Sequence, residues 1–419
     1  MEASAAGRGP GRREFVLLIA ALMASNALAI DSMLPGLPAI GAALNVADEN
    51  RRQLVISFYM FGFGLAQLAY GPLADRFGRK RLLVGCLLAY ATMALLCGLS
   101  GSFALLLAAR MLHGIAAAGG RVLVVAVVRD RYQGAAMAQI MSTAMIVFMI
   151  VPVLAPSLGQ LLLTFGSWRL IFLVLAVYAL LLAIWCALRL PETLAEEHRR
   201  PLSARHIGGA MKEMLTSRAA AGNTLAVAII FGALVGMLNS IQQVVADVFH
   251  QPAMLGLAFA CIAGPMAISA WLNSRLVMRF GSRRMLLTAL TGFTGFALLH
   301  LGIALAFGET LWSFVGLLAL TMTCFGLVGA NASALAMEPM GHIAGTASSL
   351  QGLLSTVGGA LVGLVIGQSF NGTTIPMVTG FAVCGALGLA AAIWANAGLP
   401  PHARNESAEL TEQAEAPLG

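Results

Sequence analysis

The chain has 419 residues, 59% of them hydrophobic and only 10% charged, with a mean hydropathy of +0.86. Soluble domains carry about 25% charged residues, so this composition excludes a water-soluble globular protein and leaves lipid as the solvent that fits. The net charge of +7 falls in short clusters between apolar runs, a positive-inside signal and not a basic nucleic-acid-binding domain.

In chain order, Met1 to Arg13 is small, Gly-rich and basic. The apolar run after it shows no small-residue cleavage site before Asp31, so it reads as an uncleaved first helix and not as a signal peptide. Only helices satisfy their own backbone polar groups in lipid without closing a barrel. The apolar runs therefore predict twelve membrane spans, at 15–37, 53–75, 82–100, 103–128, 136–163, 168–190, 220–246, 254–275, 285–307, 312–337, 343–370 and 375–398. The expected fold is an all-α membrane protein of two pseudo-symmetric six-helix bundles. Its divisions are a cytoplasmic N-terminal tail (1–14), a first bundle (15–190), a cytoplasmic linker (191–219), a second bundle (220–398) and a disordered cytoplasmic tail (399–419). The linker is the long polar stretch of the chain, with a short amphipathic helix expected near Ile207–Leu215.

Basic residues gather on one side of these spans: Arg12 and Arg13, Arg76 to Arg81, Arg129 and Arg131, the linker, and Arg279 to Arg284. The other side offers Arg51, Arg52 and Arg169. Both termini and the linker are therefore expected in the cytoplasm of a multi-pass inner-membrane protein. An internal repeat supports two halves. Arg76-Phe77-Gly78-Arg79-Lys80-Arg81 follows the second span, and Arg279-Phe280-Gly281-Ser282-Arg283-Arg284 follows the eighth, 203 positions later. The six cysteines lie in apolar runs without zinc or redox spacing and read as small buried side chains.

Asp31 is the acid placed well inside a span, about six residues or roughly 9 Å from its outer end. An intramembrane carboxylate costs about 2.5–3.5 kcal/mol on insertion scales and so calls for a role or a partner. The readings are a proton carrier or a structural carboxyl locked to a neighbouring helix. Arg110 and Arg121 are intramembrane cations eleven residues apart in the fourth span, which brings them to nearly the same helix face. Arg110 lies near the depth of Asp31 and is expected to couple to it electrostatically; the alternative is a clamp on backbone carbonyls. Arg121 contacts either an anionic substrate group or a structural partner. His113, one turn from Arg110, is a proton relay or a satisfied packing residue. Candidates for a substrate cavity are Arg121, His113, Tyr59, Asn239, Gln242, Asn331 and Gln351. Interhelical amide bonding is the competing use of the polar residues among them. Pro152, Pro156 and Gly159 favour bending in the fifth span, and Gly359, Gly363 and Gly367 favour close helix approach in the eleventh.

Several motifs resemble those of the major facilitator superfamily. Gly71-Pro72-Leu73-Ala74-Asp75-Arg76-Phe77-Gly78-Arg79-Lys80 resembles its loop signature between the second and third spans. Arg110-Met111-Leu112-His113-Gly114 resembles its fourth-span motif, with His113 where Gln is usual. Asp31-Ser32-Met33-Leu34-Pro35-Gly36-Leu37-Pro38 resembles the first-span motif of its twelve-helix drug–proton antiporters, and Pro191-Glu192-Thr193 is typical of the end of the sixth span. Arg121 through Val128-Arg129-Asp130, with Ala344-Gly345-Thr346-Ala347-Ser348-Ser349-Leu350-Gln351-Gly352, resembles the bicyclomycin-resistance/chloramphenicol-efflux (Bcr/CflA) group. The fifth-span antiporter motif departs from the pattern, with Ala155-Pro156 for Gly-Pro and Gln160 for a second Gly. In the second repeat loop Met278 stands where the first has Asp75.

The resemblance implies alternating access of two bundles and expulsion of drugs against proton entry. It also implies a cytoplasmic gate of Gly71, Asp75, Arg76, Gly78, Arg79, Arg129 and Asp130. The expected function is a proton-coupled multidrug or small-molecule exporter with Asp31 as proton carrier and Arg110 tuning it. A metabolite exporter or proton symporter of the same fold is the alternative, and a membrane receptor or enzyme the remote one. The expected partners are a small-molecule substrate, protons and the lipid bilayer, with the protein a monomer. No P-loop, nucleophile elbow or metal-binding His pattern occurs in the sequence, so neither an enzyme nor a cofactor or metal is expected.

Overall fold

The structure, a computed structural model, describes residues 9–132, 134–194 and 204–397. The first part of the N-terminal tail, linker residues 195–203 and the predicted disordered tail lie outside the described residues. Twelve helices of 20 residues or more account for most of what is described: α1 (Arg12–Asp31), α3 (Leu54–Phe77), α4 (Arg79–Leu99), α5 (Phe103–Arg131), α6 (Gly134–Phe165), α7 (Arg169–Arg189), α9 (Arg218–Gln243), α10 (Leu255–Phe280), α11 (Ser282–Phe307), α12 (Leu311–Met337), α13 (Ala344–Gln368) and α14 (Ile375–Asn396). Two short helices complete the set, α2 (Leu37–Ala43) and α8 (Ala204–Thr216). No strand occurs among the described residues. The helices begin where the local chemistry permits: Ser102, Ser217 and Thr310 cap α5, α9 and α12 with their side-chain oxygens.

Helices α1 and α3–α7 pack among themselves, as do α9–α14, and the two groups meet mainly through α3 against α13 and α6 against α10. Large apolar side chains stay exposed on the outside of these groups. On α7, Leu173, Val177, Leu180, Leu181, Ile184 and Leu188 all do so, the girdle a lipid-facing helix requires. Within the second group α13 lies against α9 through facing glycines: a Cβ on Gly359 would press on Phe231 and the Gly232 backbone, and one on Gly363 on Val235 and the Gly236 backbone. Close approach of this kind replaces the hydrophobic driving force that lipid does not supply.

The repeat seen in the sequence has a shared backbone geometry. Gly78 joins α3 to α4 at φ +90°, and Gly281 joins α10 to α11 at φ +76°. Each lets two long helices reverse through a single non-helical residue, in a conformation that an L side chain would resist. This is why α4 and α11 begin three residues earlier than hydropathy predicts: the arginines and lysine after each glycine already belong to the helix.

The first span differs from its prediction. Hydropathy makes 15–37 one helix, whereas α1 ends at Asp31 and the chain passes through a short 3₁₀ turn, Leu34–Gly36, into α2. Pro35 and Pro38 are the cause. Each lacks the N–H that would bond back four residues, leaving the Asp31 and Leu34 carbonyls without that helical partner. Gly159 of α6 packs on the Ser32 carbonyl at this break, where a Cβ would collide with backbone. The linker helix α8 begins before the predicted 207–215 and lies on the second group, with Met214 and Ala210 buried against Ala347, Leu350 and Met340. Glu213 of α8 pairs with His342 at 2.9 Å. Cys261 is exposed on α10 and Cys324 half-buried, contrary to the reading of all six as buried; the other four are enclosed. Cysteine is apolar enough to face lipid.

Candidate functional site

Asp31 occupies the last position of α1, at the break, and is 5% exposed. Its carboxyl forms no hydrogen bond or ion pair among the described residues. Around it the first group carries a buried polar cluster. Arg110 of α5, wholly buried, donates from Nε to the Val55 carbonyl at 3.0 Å and from one terminal nitrogen to the Ala29 carbonyl at 3.2 Å. Its other terminal nitrogen lies 3.3 Å from His113 Nδ1. The guanidinium sits over the Tyr59 ring at 4.4 Å and faces Phe172 at 5.8 Å. Tyr59 donates its hydroxyl to Asn26 Oδ1 at 2.9 Å.

Arg110 and Asp31 form no direct ion pair among the described residues. Planar guanidinium geometry explains what replaces it: the fork reaches carbonyls on two helices at once and stacks on an aromatic face, an arrangement an ammonium could not make. One of those carbonyls belongs to Ala29, two residues before Asp31, so the cation is fastened to the helix that carries the acid. His113 is wedged edge-on between Tyr59 and Tyr90, at ring distances of 5.3 and 4.1 Å, and its Nε2 has no partner among the described residues.

The other predicted cavity residues divide between packing and open surface. Asn239 bonds Ser57 Oγ at 3.3 Å and the Gly363 carbonyl at 3.0 Å, tying α9 to α3 and α13 in a sealed contact. Asn331 donates to Asn273 Oδ1 at 2.7 Å, an amide pair between α12 and α10. Both side chains are buried, with their amide N–H groups bonded between helices, while Asn239 Oδ1 has no partner among the described residues. Tyr59 and His113 are likewise enclosed. Gln351 is buried on α13 with Nε2 unpartnered. Gln242 borders a cleft of about 550 Å³ between the two groups, with Pro35, Pro38, Gln160, Asp247 and Pro252 among its walls. Arg121 is exposed, and its guanidinium stands 5.9 Å from the Phe63 ring centre.

At the end of the molecule that carries the basic turns, Arg79 bridges two acids. It meets Asp75 at 2.8 Å within its own turn region and Asp130 of α5 at 3.1 Å. Sequence reading of the gate did not include Glu192, yet it completes the cluster. Its Oε1 accepts the backbone N–H groups of Arg79 at 2.8 Å and Lys80 at 3.4 Å, an anion on the open N-terminus of α4. Thr193 donates to Asp130 at 3.1 Å. Only the Pro191-Glu192-Thr193 motif pointed there. Gly71 faces Ser349 of the second group, 3.8 Å from where its Cβ would stand. Arg76 and Arg129 are exposed and lie outside this ion cluster.

The far end is closed by neutral side chains that reach across the two groups. Gln53 donates to Gln243, and Gln243 donates to Asn50 at 3.0 Å. Asn50 donates to the Phe370 carbonyl at 2.8 Å, and Gln368 returns a bond to the Asn50 carbonyl at 2.8 Å. Gln160 of α6 donates to the Pro252 carbonyl at 2.9 Å. None of these contacts was foreseen, since amides near predicted span ends look like ordinary interfacial residues. Midway along α3, Gln67 donates to Thr356 of α13 at 2.9 Å, another bond across the groups.

Twelve apolar helices in two groups that meet along few helix pairs, with buried ionisable residues inside them, define a polytopic membrane transporter. The chain belongs to the Major Facilitator Superfamily, whose family pattern it matches over residues 17–363. It is 32% identical over 377 residues to the uncharacterized MFS-type transporter YdgK of Bacillus subtilis, covering 88% of this chain and 92% of that one. It is 29% identical over 372 residues to the bicyclomycin resistance protein homolog of Haemophilus influenzae, covering 88% and 93%. Among solved structures it superimposes on a D-xylose-proton symporter with a TM-score of 0.69 at 13% identity, covering 92% of this chain and 98% of that one. That likeness concerns the fold alone.

Proposed function

We propose that this protein is a proton-coupled exporter of small molecules, of the multidrug type, in which Asp31 carries the proton. The observation that supports it most is the Asp31 carboxyl itself: nearly enclosed, at a helix break, and held by no ion pair among the described residues. A carboxyl locked to a cation would be poor at taking and releasing protons, because breaking a buried pair is strongly unfavourable. A carboxyl beside a hinge in the backbone loses no partner when its surroundings change. Arg110 acts on it through helix α1, by holding the Ala29 carbonyl. The basic end faces the cytoplasm of the inner membrane, in keeping with positive-inside charge, and the Arg79 cluster gates that side. Drug expulsion draws on the resistance named for the Haemophilus relative.

The test uses purified protein in lipid vesicles with a pH dye trapped inside. Addition of a transported drug is expected to drive proton flux with the wild type and none with Asp31→Asn, whose elution and melting remain those of the wild type. Proton flux of equal size in both would remove Asp31 from the mechanism.

A further inference from the structure

Arg121 is a charged side chain that neither the proton site nor the gate uses. It lies on α5 nine residues from Leu112, which is exposed in the apolar girdle. Nine residues are roughly two and a half turns, so the two side chains leave the helix on opposite sides. Arg121 instead shares the face of Arg110 and Gly114, which is packed inward: a Cβ on Gly114 would strike the Tyr59 backbone. The exposed surface of Arg121 therefore opens on the side of α5 turned away from the lipid-facing Leu112.

Its partners are few. The Phe63 ring flanks the guanidinium, and no acid pairs with it among the described residues. The sequence leaves little room for one. Apart from Asp31, every acid of the membrane region stands at a helix end or between helices: Glu14, Asp48, Glu49, Asp75, Asp130, Glu192, Asp247, Glu309 and Glu338. Asp31 lies at the level of Arg110, and eleven residues of helix, about 16 Å, separate that level from Arg121. A cation within the membrane that faces an open space, beside an aromatic plane and with no fixed counter-charge, is built to receive a negative group.

We propose that Arg121 is the substrate-recognition residue for an anionic group, so that the transported compounds include amphipathic molecules bearing a carboxylate or similar acid. The aromatic part lies along Phe63 and the acid on the guanidinium fork. This rests on the exporter reading for its setting but assigns a second site, separate from the proton carrier and nearer the basic end. Substrate and proton then occupy different places on the helices of the first group.

The experiment is equilibrium binding, without a pH gradient, of naphthalene-2-carboxylate and its uncharged primary amide to the full chain in lipid nanodiscs. The wild type is expected to prefer the carboxylate. Arg121→Gln should weaken the carboxylate about tenfold or more, the worth of a charge-assisted hydrogen bond, and leave the amide within about twofold. Arg121→Lys, which keeps the charge, should retain most of the preference and shows that the site still folds. Equal weakening of both probes by Arg121→Gln, no change in either, or a wild type without preference would overturn the assignment. Proton flux is measured separately. Discrimination without proton flux would overturn only the exporter reading, and proton flux without discrimination only this one.

Discussion

Arg110 is the residue whose surroundings say most about its work. It is wholly buried and spends its donors on two carbonyls and a histidine nitrogen. Hydrogen bonds to charged groups are worth about 1.5–3 kcal/mol each. Arg110→Lys keeps the charge but cannot span both helices, so it should cost about 2 kcal/mol, read as a lower melting temperature in detergent. If Arg110 also tunes the proton site, the pH profile of transport will move in the same variant; a lower melting temperature with an unmoved profile would reduce Arg110 to a clamp. The sequence singled out Asp31, Arg110 and His113, because a polar or charged side chain inside an apolar run is visible by itself. It did not reveal where Arg110 points. Ala29, Val55 and Tyr59 come from two other helices, and backbone carbonyls carry no sequence mark.

At the scale of elements, the span count and the duplicated basic turn were legible, because lipid demands long apolar runs and Gly78 and Gly281 recur at a fixed interval. The helix break after Asp31 was legible only in part. Pro35 and Pro38 were in plain sight, but hydropathy carries on through them. The contact between α3 and α5 is reciprocal: a Cβ on Gly62 would strike the Met111 carbonyl, just as one on Gly114 strikes that of Tyr59. No small side-chain shift relieves a clash with backbone, so Gly114→Leu should separate the two helices and lower stability by about 3 kcal/mol or more. Thermal unfolding measures this, and a melting temperature equal to that of the wild type would mean the helices can part freely. Gly120, one residue beyond a close contact but itself facing nothing within 4 Å, makes a fair control: Gly120→Ala should be neutral or slightly stabilising through helix propensity.

The whole molecule is joined differently at its two ends. The basic end carries the Arg79 cluster, with Asp75, Asp130 and Glu192, and all four residues belong to the first half. The far end is closed by amides that cross between halves. Sequence pattern found the first because its charges form a compact motif. It missed the second because those amides come from distant parts of the chain and only folding brings them together. The exporter we propose needs the far end to open. In a background without native cysteines, Gln53→Cys with Gln243→Cys, joined by a short bifunctional thiol reagent, should stop transport while leaving ligand binding from the basic end intact. Undiminished transport after complete cross-linking would show that this closure is not released during the cycle. The chemistry of the amide closure has a further result. Glutamine and asparagine have no charge to gain or lose, so acid, alkali and brine leave these particular bonds as they are. In the exporter we propose, a doorway fastened this way leaves the sensing of protons to Asp31.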